Sequence, residues 1–230
     1  MTTKFFSRVE LRRDAPAAAI RAVLMPEGQA ARAATAHHLV WTLFADAPER
    51  ARDFLWREHA PGVFYLLSDR APHDVHGLFD VKEPKVFAPI LRPGDRLAFE
   101  LRVNATISRG GAPGVRGKPC DIVMDALHRL PAGRRAGAKT DVCNRVAPEW
   151  LSRQGQRAGF GIERIDVLGY STIGLDRGRD RVDAKLGVLD LRGILAVHDA
   201  GLFVAAIGAG FGRGKAFGCG LMVVRRAWAT

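Results

Sequence analysis

Gly208-Ala-Gly-Phe-Gly-Arg-Gly-Lys-Ala-Phe-Gly-Cys-Gly-Leu221 places glycines at 208, 210, 212, 214, 218 and 220 around a single lysine, Lys215. So bare a backbone admits positive φ and lets main-chain N–H groups approach a ligand, most naturally an anion such as a phosphate. Two nucleotide-binding readings fail on spacing. A Walker A loop needs a glycine where Ala209 stands and a hydroxyl where Ala216 follows Lys215. A dinucleotide fingerprint must open a helix, which Gly218 and Gly220 would break. Leu221-Met-Val-Val-Arg-Arg226 is apolar and β-branched and predicts a strand. Upstream, Asp199 to about Ile207 has helix composition with Asp199 or its neighbour as its N-cap. The stretch is therefore a loop leading from a helix into a strand, at the helix end whose dipole repels anions. Any phosphate held there must be held by loop amides, Arg213 and Lys215.

Working outward, strands are expected over Phe5–Leu11, Val63–Leu67, Leu97–Val103, Gly161–Leu168, Asp183–Asp190 and Gly193–Val197. Helices are expected over Ala31–Phe44, Arg50–Glu58, Asp121–Leu130 and Pro148 to about Gln156, with a flexible basic break over Gly133–Lys139. This mixture has the order of a split βαβ sandwich. Between Thr106 and Pro119 the composition shifts to Gly, Pro, Arg and Lys, which marks a linker or mobile loop. The expected division is thus an N-terminal domain over 1–105, a linker over 106–119 and a C-terminal domain over 120–230.

At 230 residues the chain is long enough for two cores. Lys+Arg number 35 against 24 Asp+Glu, and 28 of the basic residues are arginine, the side chain suited to bidentate phosphate contact and to stacking on bases. Nucleic acid is the partner this favours, although an Ala/Arg/Gly-heavy composition also follows from GC-rich coding. No stretch reaches the ~18 apolar residues of a membrane span, and Met-Thr-Thr-Lys-Phe-Phe-Ser-Arg lacks a signal-peptide core. A cytoplasmic protein without membrane contact, monomeric when isolated, is expected. Cys120, Cys143 and Cys219 lack any CxxC and read as ordinary thiols.

Among seven histidines, His37 and His38 stand out on the first helix. His37, one turn before Trp41, borders the apolar stripe, and His38 points further toward the polar side. Either imidazole could face a groove as an acid or base, although a half-buried or solvent-facing ring without such a role is the commoner case for a helix histidine. His73-Asp-Val-His76 has chelating spacing but no third ligand nearby, so no metal or other cofactor is expected. In Leu175-Asp-Arg-Gly-Arg-Asp-Arg-Val182, Arg177, Arg179 and Arg181 would share one face of an extended hairpin arm, with Asp176 and Asp180 partly neutralising them. Arg134, Arg135 and Lys139 offer a similar basic loop.

These residues carry a resemblance that spans nearly the whole chain. His37 with Trp41-Thr-Leu-Phe44, Ala51-Arg-Asp-Phe-Leu-Trp56, Leu101-Arg-Val-Asn104, Leu191-Arg-Gly-Ile-Leu-Ala-Val197 and the stretch from Gly210 to Leu221 resemble, in order and spacing, the CasE family. These are the CRISPR repeat-processing endoribonucleases of the type I-E Cascade complex, within the RAMP superfamily. The resemblance implies an α+β fold of two tandem ferredoxin-like (RRM-like) domains, each a βαββαβ antiparallel sheet with helices on one face. It also implies a substrate, the CRISPR repeat RNA hairpin (crRNA precursor), cut at the 3′ base of its stem without metal by attack of a ribose 2′-OH. The ends left are a 2′,3′-cyclic phosphate and a 5′-OH, and other Cascade subunits are the implied protein partners.

Carried onto this chain, the family's catalytic histidine falls on His37, with His38 as the fallback and Lys215 as a possible charge stabiliser. The expected RNA contacts are Arg102, Asn104, Lys118, the arm of Arg177, Arg179 and Arg181, and Gly210, Gly212, Arg213, Gly214 and Lys215. Two departures stand out. Ala34 occupies the place of a tyrosine found in many relatives, and Thr42 that of a basic residue found in some. Lys215 or an arginine would have to substitute. The competing reading is a non-catalytic RAMP-type RNA-binding subunit whose histidine is structural. An RRM-like RNA-binding protein outside CRISPR is disfavoured by the lack of an RNP-type aromatic strand.

Overall fold

The structure, a computed structural model, describes residues 3–14, 29–46, 49–110, 117–175 and 184–227. Eleven strands and four α-helices are present among them. The first sheet has the order β2 (Phe54–Ala60), β3 (Val63–Ser68), β1 (Phe5–Leu11), β4 (Phe79–Val81), with β5 (Lys85–Val86) also on β1. Helix α1 (Gln29–Thr42) follows β1. Period-2 burial in β1 sets Ser7, Val9 and Leu11 inward. Ala36, Leu39, Val40 and Leu43, at helical spacing, close the same core against Phe54, Trp56 and Phe64.

The second sheet has the order β11 (Met222–Arg226), β6 (Arg96–Val103), β10 (Ala184–Val197), β9 (Phe160–Leu175). On β6, Leu97, Phe99, Leu101 and Val103 alternate inward under α3 (Lys139–Ala158) and α4 (Ala200–Ala209). Helix α3 turns Val142, Val146, Ala147, Trp150 and Leu151 to that core and ends on Gly159 in the left-handed region. Asp199 caps α4 by accepting from the Leu202 amide at 2.9 Å, as the sequence predicts. The two halves share core. Leu55 and Leu67 of the first sheet join the cluster containing Leu221 and Met222, and the Arg57 guanidinium meets the Glu100 carboxylate at 3.0 Å.

The α+β tandem architecture holds, with five corrections. First, only the second half is a complete βαββαβ unit. In the first half the second helix is replaced by irregular residues 69–78, where Pro72 and an Asp74 carboxylate accepting from the His76 and Phe79 amides fix turns instead. Second, Arg50–Glu58 is not a helix. Phe54-Leu-Trp56 is buried on both faces of a strand, Leu55 toward one core and its neighbours toward the other, and so continuous an apolar run has no period to betray it.

Third, β6, assigned on sequence to residues 1–105, is an inner strand of the second sheet, so the chain passes between sheets over residues 87–95 rather than at 105. Both ends of the expected linker are strands, β7 (Thr106–Arg109) paired with β8 (Lys118–Asp121). Fourth, the break after Pro131 is ordered. A 3-10 turn spans Ala132–Arg134, and Arg135 donates to the carbonyls of Leu130 and His128, closing helix α2 (Ile122–His128). Fifth, the strands expected over Asp183–Asp190 and Gly193–Val197 are one strand with two register irregularities against β9.

Asp121 shows how local chemistry fixes this half. One carboxylate oxygen accepts from the Val123 and Met124 amides, both at 2.9 Å, and from the Tyr170 hydroxyl at 3.1 Å. Replacing Asp121 with Ala removes a cap worth ~1 kcal/mol and strands a half-buried hydroxyl at about 1–3 kcal/mol. Urea unfolding should show a lowered midpoint for Asp121→Ala and near-recovery for Asp121→Asn, which still caps.

Candidate active site

The glycine loop is shaped by the protein around it. Helix α4 ends on Gly210, and the Phe211 amide then donates to the Gly220 carbonyl at 2.9 Å, closing the loop on itself. The Arg213 amide donates to the Asn104 carbonyl at 3.0 Å, and the Gly220 amide to that of Arg102 at 2.8 Å, tying both arms to the end of β6. Between them a 3-10 turn, Lys215–Phe217, is bracketed by Gly214 (φ 69°) and Gly218 (φ 73°). A Cβ on Gly218 would sit 2.9 Å from the Trp56 ring, and one on Gly214 would sit 2.8 Å from Leu186. These two glycines answer to the turn and to internal packing. Their presence is no sign that a ligand approaches.

This turn meets α1. The Ala216 carbonyl accepts the indole N–H of Trp56 at 3.1 Å, and the His37 imidazole also hydrogen-bonds the Ala216 backbone. The His37 ring lies 5.7 Å from Phe217 and edge-on to Trp41 at 6.2 Å. His37 is half-buried, and its Nδ1 is shut from solvent with no partner. Burial holds the imidazole below its ordinary value of 6.5; the Ala216 hydrogen bond opposes this, and the nearby charges of His38 and Arg52 reinforce it. His38 is exposed. Lys215 is half-buried, donates from Nζ to the Ala209 carbonyl at 2.6 Å, and is lowered by burial and then by Arg52.

The structure therefore brings His37 and Lys215, far apart in sequence, to the two sides of one turn. Arg52, ahead of β2, is a second cation there, besides Lys215, that the sequence reading passes over, because a helix over Arg50–Glu58 would have turned it elsewhere. Arg213 and Lys118 are both exposed and line a separate polar cleft of about 520 Å³ with Ser108, Gln154 and Gly212. Two expected RNA contacts are otherwise engaged. Asn104 is 4% exposed and donates its side-chain amide to the Gly187 carbonyl at 2.7 Å, so it pins the loop and cannot reach RNA. Arg102 is half-buried beside Asp190 at 3.6 Å.

Thr42, standing where some relatives carry a base, donates its hydroxyl to the Leu39 carbonyl at 2.7 Å and supplies no charge. Arg177, Arg179 and Arg181 lie outside the described residues. His73 and His76 are exposed, and no cluster of three potential metal ligands occurs among the described residues. The three cysteines are free.

Fold and site together define a tandem ferredoxin-like protein with a cationic, imidazole-bearing site at the joint of its halves. A family model described as CRISPR associated protein matches residues 4–226, and the chain belongs to that family. It is 30% identical over 226 residues to the CRISPR-associated endoribonuclease Cse3 of Thermus thermophilus, covering 88% of this chain and 96% of that protein. Against the CRISPR system Cascade subunit CasE of Escherichia coli the identity is 24%, over 81% of this chain and 88% of the relative. The fold also matches the structure of Thermus thermophilus Cse3 bound to an RNA representing a pre-cleavage complex. There the TM-score is 0.64 at 22% identity, with 97% and 99% of the two chains covered.

The positive φ at Gly218 makes the joint testable. Gly218→Ala costs about 1–2 kcal/mol in the left-handed region and pushes the Trp56 ring off the turn. Its denaturation midpoint should fall. The His37 titration followed by NMR should move to lower pH as the opposing Ala216 hydrogen bond is lost. Gly133→Ala, where a Cβ meets nothing within 4 Å, should change neither.

Proposed function

We propose that this chain is a CRISPR repeat-RNA endoribonuclease, cutting the precursor at the 3′ base of the repeat hairpin and keeping the product as a Cascade subunit. The observation that carries this reading is the imidazole of His37, held below its ordinary value and set against a turn bearing Lys215. Family membership and the names of the relatives supply the substrate class. Its place of action would be the cytoplasm, where that transcript is made.

The chemistry needs a base for the 2′-OH, a stabiliser for the charge that develops on the phosphate, and a proton for the leaving 5′-oxygen. Burial keeps His37 neutral at pH 7, which is the state a base requires. The neutral ring gives one N–H to the Ala216 backbone and its lone pair lies on Nδ1, shut from solvent in the free protein, so RNA binding must turn the ring for His37 to take the 2′-OH proton as the 2′-oxygen bonds to phosphorus; the P–O5′ bond breaks with protonation of the 5′-oxygen from solvent. Lys215 counters the charge on the non-bridging oxygens, at an energetic advantage in a partly water-excluded site. No step uses a metal, and only RNA, with its 2′-OH, is a substrate. Lys118 and Arg213 hold flanking phosphates, and the deep, narrow major groove of the stem favours reading of shape over base edges.

Cleavage of labelled repeat hairpin under single-turnover conditions tests the assignment. His37→Ala should slow it by about 10²–10⁴-fold with hairpin affinity retained, while His38→Ala and added EDTA should leave it unchanged. Unaltered cleavage by His37→Ala would overturn the assignment, and a wild-type protein that binds the hairpin without cutting it would be a binding subunit.

The pH profile of kcat/KM reports the free protein. With His37 lowered by burial, the limb it governs should have its midpoint below 6.5. Acting as a base, His37 loses function on protonation, so activity should fall as pH drops through that midpoint. A fall on the alkaline side instead would make it the acid.

A further inference from the structure

We infer that Arg52 is a phosphate-binding group of this site, its guanidinium donating to a non-bridging oxygen of the scissile phosphate. The inference rests on the nuclease reading above. Arg52 lies two residues ahead of Phe54, whose ring packs edge-on to Trp41 at 5.2 Å and stacks on Phe44 at 4.4 Å. That aromatic contact fixes the entry of β2 against the C-terminal end of α1, one turn from His37. The side chain of Arg52 is half-buried, and its Nη1 is shut from solvent with no hydrogen-bond partner.

No carboxylate among the described residues answers it. Asp53, the next residue, is engaged by Arg70 at 2.8 Å, and Asp46 by Arg50 and Arg70. Among the described residues Arg52 forms no ion pair. Its charge is nonetheless near enough to disfavour the protonated forms of both His37 and Lys215.

A buried guanidinium N–H without a partner is costly, and arginine cannot escape by losing its proton. An anion delivered between His37, Lys215 and Arg52 removes that cost, and a phosphodiester oxygen matches the planar donor fork. Arg52 neither gives nor takes a proton in the reaction. The 2′-O–P bond forms, the P–O5′ bond breaks, and the 2′-OH proton goes to His37, while Arg52 meets the charge that gathers on the phosphate oxygens. It thereby supplies a cation that Thr42 does not.

The test compares wild type, Arg52→Ala and Arg52→Lys on a repeat hairpin and on hairpins with each phosphorothioate diastereomer at the scissile position. Affinity is measured separately on a hairpin with a 2′-deoxy residue at the cut. Arg52→Ala should cleave about 10²–10³-fold more slowly, the loss typical of a missing oxyanion donor, with 2′-deoxy hairpin affinity little changed. The sulfur substitution that slows wild type should no longer slow this variant further. Arg52→Lys, keeping the charge but not the fork, should recover part of the rate. If Arg52→Ala fails to fold, Arg52→Lys carries the same phosphorothioate comparison.

Wild-type cleavage by Arg52→Ala, or an undiminished phosphorothioate effect in either variant, overturns the role of Arg52 while leaving the nuclease reading standing. A wild-type protein that does not cut the hairpin overturns both.

Discussion

One carbonyl, that of Ala216, holds the two halves of the site together. It receives the Trp56 indole from the first sheet and the His37 hydrogen bond from α1, and it is presented by a turn that only left-handed residues at 214 and 218 allow. Trp56 is buried in the first core, while the turn hangs from β6 through the Asn104 and Arg102 carbonyls. A rigid residue on each side thus fixes the relative position of the imidazole and the lysine. Such precision matters because misplacement of reacting groups by ~1 Å can cost about 10²-fold in rate.

Charge is distributed with the same economy. Among the described residues, most arginines are satisfied locally. Arg164 and Arg192 share Asp166, Arg109 and Arg129 share Asp125, Arg96 pairs with Glu163, and Arg70 with Asp53. Paired charges on an exposed surface contribute little to stability and little net field. Lys215 and Arg52 meet no carboxylate among the described residues, and Arg52 lies near enough to act on both Lys215 and the His37 imidazole. The formal excess of eleven positive charges therefore says less about function than do these two half-buried cations without an acid.

The sequence announced the loop and the helix that feed the site, because both carry strong local signals: glycine density around Lys215, the Asp199 cap, and the apolar stripe of α1. It did not disclose that Arg96–Val103 belongs to the second sheet, since strand pairing is a long-range choice that no local pattern encodes. Nor did it disclose Arg52, which depends on Phe54-Leu-Trp56 being a strand buried on both faces. Asn104 was misjudged for a related reason. A polar residue in a motif looks like a ligand contact until its burial against Gly187 is seen. The glycines were read as room for RNA, whereas at 214 and 218 the missing Cβ atoms face Leu186 and Trp56.

The dependence of the joint on a loop far downstream of His37 also has a temporal side. Domains fold as units, the N-terminal one first, while the chain is still being made. The first sheet and α1 can close their own core around Val40 and Trp56 before β10, α4 and the turn have emerged. During that interval the imidazole has neither Ala216 to orient it nor Lys215 beside it. On the proposed role of His37, the site is therefore assembled only once the second half has folded back onto the first.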